Sequence, residues 1–275
     1  MKQMSATKTI RRGGHYDANY GNFQKQLYEE IRREAFGEDI GQNSWLTADE
    51  HDRFLSWLDL APGKSVLDIA CGAGGPALRM ASVTGCAVVG VDVHEQAIAT
   101  ARSLAAERDL TGHVEFRVVD ASRQLPFAAA RFDVITCIDA INHLPERGGI
   151  LNEWKRLLKP GGRLLFTDPT VITGPLTNAE IAVRSSAGFY LFVPPGYDER
   201  ILEECGLRLM RSENRTLNMA EIAERRRKAR ESRSAQLRQI EGNEAYASQQ
   251  EFLFVAASLA KEGRLSRFAY VAKRT

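Results

Sequence analysis

The feature that most constrains this chain is an alternation between residues 65 and 167, where short β-branched runs are separated by longer stretches of helical character. Runs at 65–69, 87–92, 114–119, 132–138 and 163–167 read as strands, and 75–84, 94–109 and 148–158 read as helices between them. Apolar strands joined through helices pack as a parallel sheet covered on both faces. The last of these helices runs into Lys159-Pro160-Gly161-Gly162, where proline and two glycines stop it and turn the chain into the next strand. At 275 residues the chain is long enough for one large α/β domain with additions.

Upstream, 22–35 and 47–58 read as helices, the second opened by Thr47 as N-cap with Glu50 three residues on, the pattern of a capping box. They predict an N-terminal helical cover over residues 1–60, followed by the main domain over 61–275. Downstream, 197–205 reads as a helix closed by Gly206, and 207–216 as a strand. Residues 219–241 are rich in Ala, Arg and Glu without Gly or Pro, which predicts one long, largely exposed helix. A last strand at 268–273 returns to the sheet. Insertions on the substrate side are expected at about 171–196 and 219–262, the first being too irregular for a simple connection.

Charge narrows the partners. Lys and Arg number 37 against 35 Asp and Glu, a balance that gives neither nucleic acid nor an anionic membrane a reason to bind. Cys71, Cys86, Cys137 and Cys205 lie far apart with no C-x-x-C pair and no histidine at zinc-ligand spacing, so neither a disulfide framework nor a metal site is expected. Residues 1–14 are polar and basic without an apolar signal core, and no run approaches the roughly 18 apolar residues of a membrane span. These features predict a cytoplasmic protein, monomer or homo-oligomer, acting on small molecules.

The first strand ends in Asp68 and opens a turn, Asp68-Ile69-Ala70-Cys71-Gly72-Ala73-Gly74-Gly75, that places several backbone N–H groups at a helix start. Asp92 closes the next strand 24 residues later, a spacing suited to a carboxylate that accepts both ribose hydroxyls of an adenosine-containing cofactor. Asp120 ends the third strand, where a carboxylate can take an adenine amino group. Glycine-rich turns also serve nicotinamide and flavin dinucleotides, but this one reads A-x-G-x-G-G rather than G-x-G-x-x-G.

Residues 66–168 resemble the cofactor-binding core of the class I S-adenosylmethionine-dependent methyltransferases: VLDIACGAGG, VVGVD, VVDASRQLPF, FDVITCIDAINHL and LLKPGGRLLFTD follow in that family's order. The resemblance implies a Rossmann-like α/β fold with a seven-stranded sheet, its last strand antiparallel, carrying the N-terminal helical cover and inserted helices. It implies S-adenosylmethionine as cofactor, with Gly72 and Gly74 near the methionine moiety, Asp92 on the ribose, and Asp120 with Ala121 at the adenine. Asp68 is implied at the amino end of the methionine, a role Asp139 shares; Ala70 in the turn and Val93 after the acidic strand complete the set. Ala70 stands where many members have glycine, which predicts a negative φ there.

Methyl transfer is an in-line displacement, so the protein must hold an acceptor atom close to the methyl and remove any proton that has to leave. Asp139-Ala140-Ile141-Asn142-His143-Leu144 opens at the carboxyl edge of the sheet, and His143 is the candidate base; the competing role is a histidine that bonds neighbouring backbone and shapes the loop. Residues 36–46, Asp139 through His143 and 267–273 are similar to phosphoethanolamine N-methyltransferases and related small-molecule enzymes, in which a tyrosine of the cover pairs with that histidine. Tyr16 or Tyr20 is the candidate for that tyrosine, and Tyr16, His143 and Asp139 form the implied catalytic group. Nitrogen is the first expected acceptor, with carbon or oxygen of a specialised metabolite as the alternative, and a protein that binds the nucleoside without methylating as the reading from another class.

Tyr20, Trp45, Tyr190, Tyr197 and Arg184 are the candidate substrate contacts, the aromatics for cation–π contact and Arg184, like Arg211, for an anionic group. The run Arg225-Arg226-Arg227-Lys228-Ala229-Arg230 has Glu221, Glu224 and Glu231 among its charges and reads as a solvated helix face.

Overall fold

The computed structural model describes residues 20–275. Strands β1 (Ser65–Ile69), β2 (Ala87–Asp92), β3 (Val114–Val118), β4 (Phe132–Cys137), β5 (Leu158–Ile172), β6 (Leu207–Asn214) and β7 (Leu265–Arg274) form one sheet in the order β3-β2-β1-β4-β5-β7-β6. The first five pair in parallel, whereas β7 runs antiparallel to both β5 and β6. Side chains alternate across β1, so Val66 enters the core on one face while Leu67 and Ile69 enter the other. Both faces are closed by crossover helices, α3 (Gly75–Thr84) and α4 (Glu95–Glu107) on one side and α5 (Arg147–Leu157), with α7 (Tyr197–Glu204), on the other. The seven-stranded sheet with its antiparallel last strand is the architecture the motifs imply.

Strand β5 is much longer than the apolar run read as a strand at 163–167. Strand β7 pairs with it from Arg163↔Lys273 to Ile172↔Leu265, and backbone hydrogen bonding carries the strand past the residues whose propensity announces it. The segment after β5 returns over the sheet edge through α6 (Asn178–Arg184), whose start is a complete capping box of Thr177 and Glu180.

Helix α2 (Ala48–Leu55) packs on the sheet face beside α3 and α4, with Phe54 and Leu55 in one core cluster with Val66, Val134 and Val271, while α1 (Gln26–Phe36), α8 (Thr216–Glu231), α9 (Ser234–Glu241) and α10 (Asn243–Lys261) pack mainly against one another. Residues 219–241 are not one exposed helix. The chain leaves helical geometry at Arg233, and Met219, Ala220, Ile222 and Ala223 pack against Ala35, Phe36 and Trp45 of the cover and Leu253, Ala256 and Ala257 of α10. Alanine on the facing surfaces lets these helices approach closely, so a stretch of weak hydrophobicity is nevertheless core. The basic run is likewise split: Arg227 pairs with Glu224 and Glu231 on the surface, but Arg230 is buried against Glu241 and ties α8 to α9.

At α2, Thr47 Oγ1 accepts from Glu50 N at 3.2 Å, half of the expected capping box. The Glu50 carboxylate does not turn back to Thr47. It is buried and accepts from Arg267 Nη1 at 2.8 and 2.9 Å, Arg215 Nε at 2.6 Å and Asn218 Nδ2 at 3.0 Å. A buried carboxylate needs such partners, and Arg267, itself buried, supplies the compensating charge. The helical cover is thereby anchored to β7.

Candidate active site

A cavity of about 290 Å³ opens at the carboxyl ends of β1, β2 and β4, with the glycine-rich turn as its floor. Backbone geometry explains the turn. Gly72 and Gly74 have φ of +56° and +79°, and a Cβ on Gly74 would meet Ala101 Cβ at 2.9 Å as well as the Phe116 ring. Gly75 is required for another reason. A Cβ there would collide with the Ile40 carbonyl and reach Gly41 C at 2.5 Å, so the backbone of the cover rests directly on this residue. Gly75→Ala is therefore expected to lift the 40–46 segment, costing about 1–3 kcal/mol as in other overpacked sites; denaturation curves with limited proteolysis of the cover check this.

Ala70 lines the cavity at φ +55°, against the negative φ its side chain predicts. The rest of the turn holds it there, since Cys71 N donates to Val91 O at 3.0 Å and Gly72 N donates to Asp92 Oδ2 at 2.9 Å. A left-handed alanine is strained, and Ala70→Gly is expected to stabilise the fold by about 1 kcal/mol, read as a rise in Tm.

Asp68, Asp92 and Asp120 converge on this cavity with Val93 and Ala121. Asp92 is buried, and its two oxygens accept the N–H groups of Gly72 and His94, each at 2.9 Å. Burial raises its pKa, opposed by those backbone bonds. Asp68 Oδ1 accepts from Thr136 Oγ1 at 2.7 Å, and burial lifts this carboxyl to about 7, with Asp92 pushing in the same direction. Asp120 Oδ1 accepts from Ser122 N and Oγ, which fixes the loop after β3.

Asp139 is held from several sides. Its Oδ1 accepts from Arg267 Nε at 2.6 Å and Thr167 Oγ1 at 2.7 Å, and its Oδ2 accepts from Trp45 N at 2.9 Å. The residue itself stands at φ +52°. Asp139 thus joins the sheet edge, β7 and the cover at one point.

His143 closes the short 3₁₀ turn Ile141–His143. Its Nδ1 lies 3.0 Å from Phe189 O, and because a carbonyl only accepts, Nδ1 carries the proton and Nε2 is left in the acceptor form. Burial lowers its pKa to about 4; the Phe189 bond opposes that shift and the Arg184 charge adds to it. The ring meets Tyr190 edge to face with centroids 4.5 Å apart.

A smaller chamber of about 60 Å³ adjoins the first, and Asn43, Ser44, Asp139, His143 and Ala187 line both. Trp45 and Phe252 stack in its wall with centroids 6.3 Å apart, and the buried Arg184 guanidinium lies 4.4 Å from the Phe252 ring centre.

The methyltransferase domain family matches residues 60–229, more than half of the chain. The chain belongs to that family. Among curated methyltransferases it is similar to 27-O-demethylrifamycin SV methyltransferase of Amycolatopsis mediterranei, 32% identical over 164 residues, covering 59% of this chain and 60% of the relative. A sterol 24-C-methyltransferase of Gibberella zeae is 32% identical over 151 residues, which cover 52% of this chain and 38% of that protein. The chain thus spans less than two thirds of the length of either relative. Among solved structures, phosphoethanolamine N-methyltransferase 2 of Haemonchus contortus, in complex with phosphomonomethylethanolamine and S-adenosylhomocysteine, superposes with a TM-score of 0.78 at 22% identity, over 95% of this chain and 60% of that one. That likeness carries the methyltransferase fold.

Within this methyltransferase domain and its cover, the large cavity collects Asp68, Ala70, Gly72, Asp92, Val93, Asp120, Ala121, Asp139 and His143, while Gly74 packs behind the turn. Tyr20 lies over the turn, its hydroxyl 2.8 Å from where a Gly72 Cβ would stand, so it borders the cofactor-sized cavity rather than the small chamber. Trp45, Tyr190 and Arg184 line the small chamber. Tyr197 lines neither cavity; as the first residue of α7 it stacks on Arg200. Arg211 is on β6 over Trp57, paired with Glu213. Tyr16 lies outside the described residues.

Several lining residues escape a reading of the sequence: Asn43, Ser44, Asn142, Arg226, Gln249 and Phe252. Of these, Asn142 carries a signal, since it sits beside His143 in the same loop. Gln249 and Phe252 are one turn apart on α10, but nothing in their spacing separates them from a surface helix. The four cysteines are free and buried, no metal-binding cluster occurs among the described residues, and no described helix is long and apolar enough to cross a membrane.

Proposed function

We propose that the chain transfers the methyl group of S-adenosylmethionine to a hydroxyl oxygen of a small specialised metabolite. The observation that carries this proposal is His143, a neutral imidazole in the acceptor tautomer at the junction of the two cavities. The donor set fits the cofactor: Asp92 keeps lone pairs for two ribose hydroxyls beyond its backbone bonds, Asp68 offers a buried carboxylate to an ammonium, and Asp120 with Ala121 borders the adenine end. Val93, Ala70 and Gly72 shape the wall between them. When bound, S-adenosylmethionine supplies an electrophilic methyl on a positively charged sulfur.

The residues do the rest. Asp139, with its carboxylate already engaged by Arg267, Thr167 and Trp45, is a positioning residue that sets the cover against the loop carrying His143. His143 Nε2 takes the hydroxyl proton as the oxygen is alkylated. Trp45, Tyr190 and Arg184 hold the acceptor, and Tyr20 closes the cofactor side.

Oxygen is better supported than nitrogen as the acceptor atom. The two curated relatives named above act on oxygen and carbon, while the N-methyltransferase structure is similar at 22% identity and carries the fold alone, and the aromatic faces that would receive an amine already carry guanidinium groups, Arg184 on Phe252 and Arg226 at 5.6 Å from the Trp45 ring centre. The test is incubation of the purified chain with S-adenosylmethionine and a panel of phenols, enols and macrocyclic alcohols. S-adenosylhomocysteine release together with an O-methyl signal in the NMR spectrum of the product is expected. Cofactor binding without turnover on any acceptor would instead support a protein that binds the nucleoside without methylating.

A further inference from the structure

Toward its carboxyl end strand β5 carries Asp168-Pro169-Thr170, residues that line neither cavity except through Pro169. Pro169 has no N–H to give β7, and the β5–β7 register shifts between Asp168 and Val171. At that irregularity Asp168 Oδ1 accepts from Thr170 N at 2.8 Å and lies 2.7 Å from Thr170 Oγ1. The same hydroxyl lies 2.8 Å from Leu191 O. A hydroxyl has a single hydrogen, and because Asp168 Oδ1 already receives Thr170 N, that hydrogen is available to Leu191.

Leu191 is held from its other side too, since Leu191 N donates to Asn142 O at 2.8 Å, within the turn that carries His143. Two residues on, Val193 N donates to Thr170 O at 3.2 Å and Ile172 N to Val193 O at 2.8 Å, a parallel bridge along the end of β5. The segment clamped in this way presents Phe189 O to His143 Nδ1 at 3.0 Å and the Tyr190 ring to the edge of the imidazole. The clamp also has a fixed base. Asp168 is wholly buried, its Oδ2 accepts from Arg147 Nη2 at 2.9 Å, and Arg147 Nη1 donates to Asp198, so α5 and α7 pin this end of β5. Burial, and then the charge of Asp168, lift the Asp198 carboxyl to about 8, so at neutral pH the buried guanidinium is balanced by the Asp168 carboxylate.

We propose that Thr170 and Asp168 are positioning residues for methyl transfer: they hold the 189–193 segment so that Phe189 O faces His143 Nδ1, which keeps the proton on that nitrogen and makes Nε2 the unprotonated one. The hydrogen bond at one nitrogen of an imidazole decides the state of the other, so a clamp two residues away from Phe189 sets the tautomer that a base requires. This rests on His143 as the base proposed above, yet the tautomer is readable without any acceptor. The charged or titratable groups around His143 are Arg184, Asp168 and His94, with Asp139 on the wall shared by both cavities. Exchanging Thr170 for valine alters none of those charges.

The test is the NMR titration of the full chain labelled with ¹⁵N-histidine and bound to S-adenosylhomocysteine, with the His143→Gln spectrum assigning the resonance. The wild type is expected to show neutral His143 as the Nδ1–H tautomer from about pH 8 to about pH 6, with a midpoint near 4. Thr170→Val keeps the side-chain shape and removes the hydroxyl. It is expected to give mixed tautomers and a midpoint at least about one pH unit higher, because burial lowers this pKa by more than the Phe189 bond raises it and a released segment withdraws both. Thr170→Ser restores the hydroxyl and should restore the wild-type pattern. Unchanged S-adenosylhomocysteine affinity and an unchanged low midpoint at His51 report that the fold survives. If the valine variant loses that affinity, Thr170→Ala, which adds no bulk, carries the same expectation. A wild-type tautomer and midpoint in a variant without the hydroxyl, or a serine variant shifted as far as the valine one, would overturn the proposal. A chain that shows the expected pattern yet methylates no acceptor would keep the positioning role and remove only the base.

Discussion

His143→Ala is expected to lower turnover by about a hundredfold or more while leaving S-adenosylhomocysteine affinity unchanged, the usual loss when a general base is removed. An acceptor hydroxyl must shed its proton as the oxygen is alkylated, and a base serves only if it is unprotonated and its lone pair is available. Nδ1–H donates to Phe189 O, which makes Nε2 the unprotonated nitrogen, and burial holds the imidazole pKa at about 4, so the neutral form prevails throughout the physiological range. At saturating cofactor and acceptor, kcat should therefore stay flat from pH 8 down through pH 6, without the acid limb near 6.5 of an exposed histidine. Alanine also removes the anchor of the 189–192 segment, so a second variant is needed. Asn can place an N–H near the position of Nδ1 and keep the Phe189 bond, but it offers no base. Both variants slow, with imidazole rescuing the alanine form, would establish the base; an active Asn variant would return His143 to shaping the loop. Stability follows its own sign. The folded pKa lies below the unfolded value, so this histidine, like the buried His51 whose pKa is also lowered to about 4, contributes stability above about 6.5 that is lost as pH falls toward 4.

How much of the molecule is legible in the chain follows from how local each signal is. Strand-terminal Asp68, Asp92 and Asp120 are legible because period-two burial and βα alternation put them at one sheet edge, whatever the remainder of the molecule does. The acceptor side is not. Glu50 and Arg267 are 217 positions apart and meet through tertiary packing alone; taken locally, Glu50 is half of a helix cap. Arg226 and Arg230 read as solvated because acidic neighbours at helical spacing explain a basic run, yet Ala220, Ala223 and Ala229 of the same helix pack inward, Arg226 lines the small chamber and Arg230 is buried against Glu241. Ala70 shows the opposite failure: a local rule predicts negative φ, and the hydrogen bonds of the turn override it.

Binding of S-adenosylhomocysteine is expected to tighten as pH rises through neutrality, by up to about tenfold per pH unit below 7, and to level off above 8. The cause is Asp68. This carboxyl is 4% exposed and its pKa sits at about 7, first because burial penalises the charge and then because Asp92 lies close by. At pH 6 most free protein therefore carries a neutral Asp68, whereas a ligand ammonium needs the carboxylate, so binding must release a proton. Other titrating groups of the cavity do not mimic this. Burial raises the thiols of Cys71 and Cys137 well above their ordinary range and they remain neutral; Asp92, also raised, is held toward its charged form by the N–H groups of Gly72 and His94. In the absence of ligand the sign is that of a buried acid: the folded pKa exceeds the unfolded one, so the contribution of Asp68 to stability is fully present below pH 4 and is lost as pH rises through 7. The ligand reverses this, and the Tm shift it produces should grow between pH 6 and pH 8. Calorimetry in two buffers of different ionisation enthalpy reads the released proton directly. Asp68→Asn should flatten the profile at the weaker affinity of the acidic limb, because an amide cannot become charged at any pH; a wild-type profile already flat, or a slope that survives in Asp68→Asn, would move the ammonium partner from Asp68 to another carboxylate of the cavity.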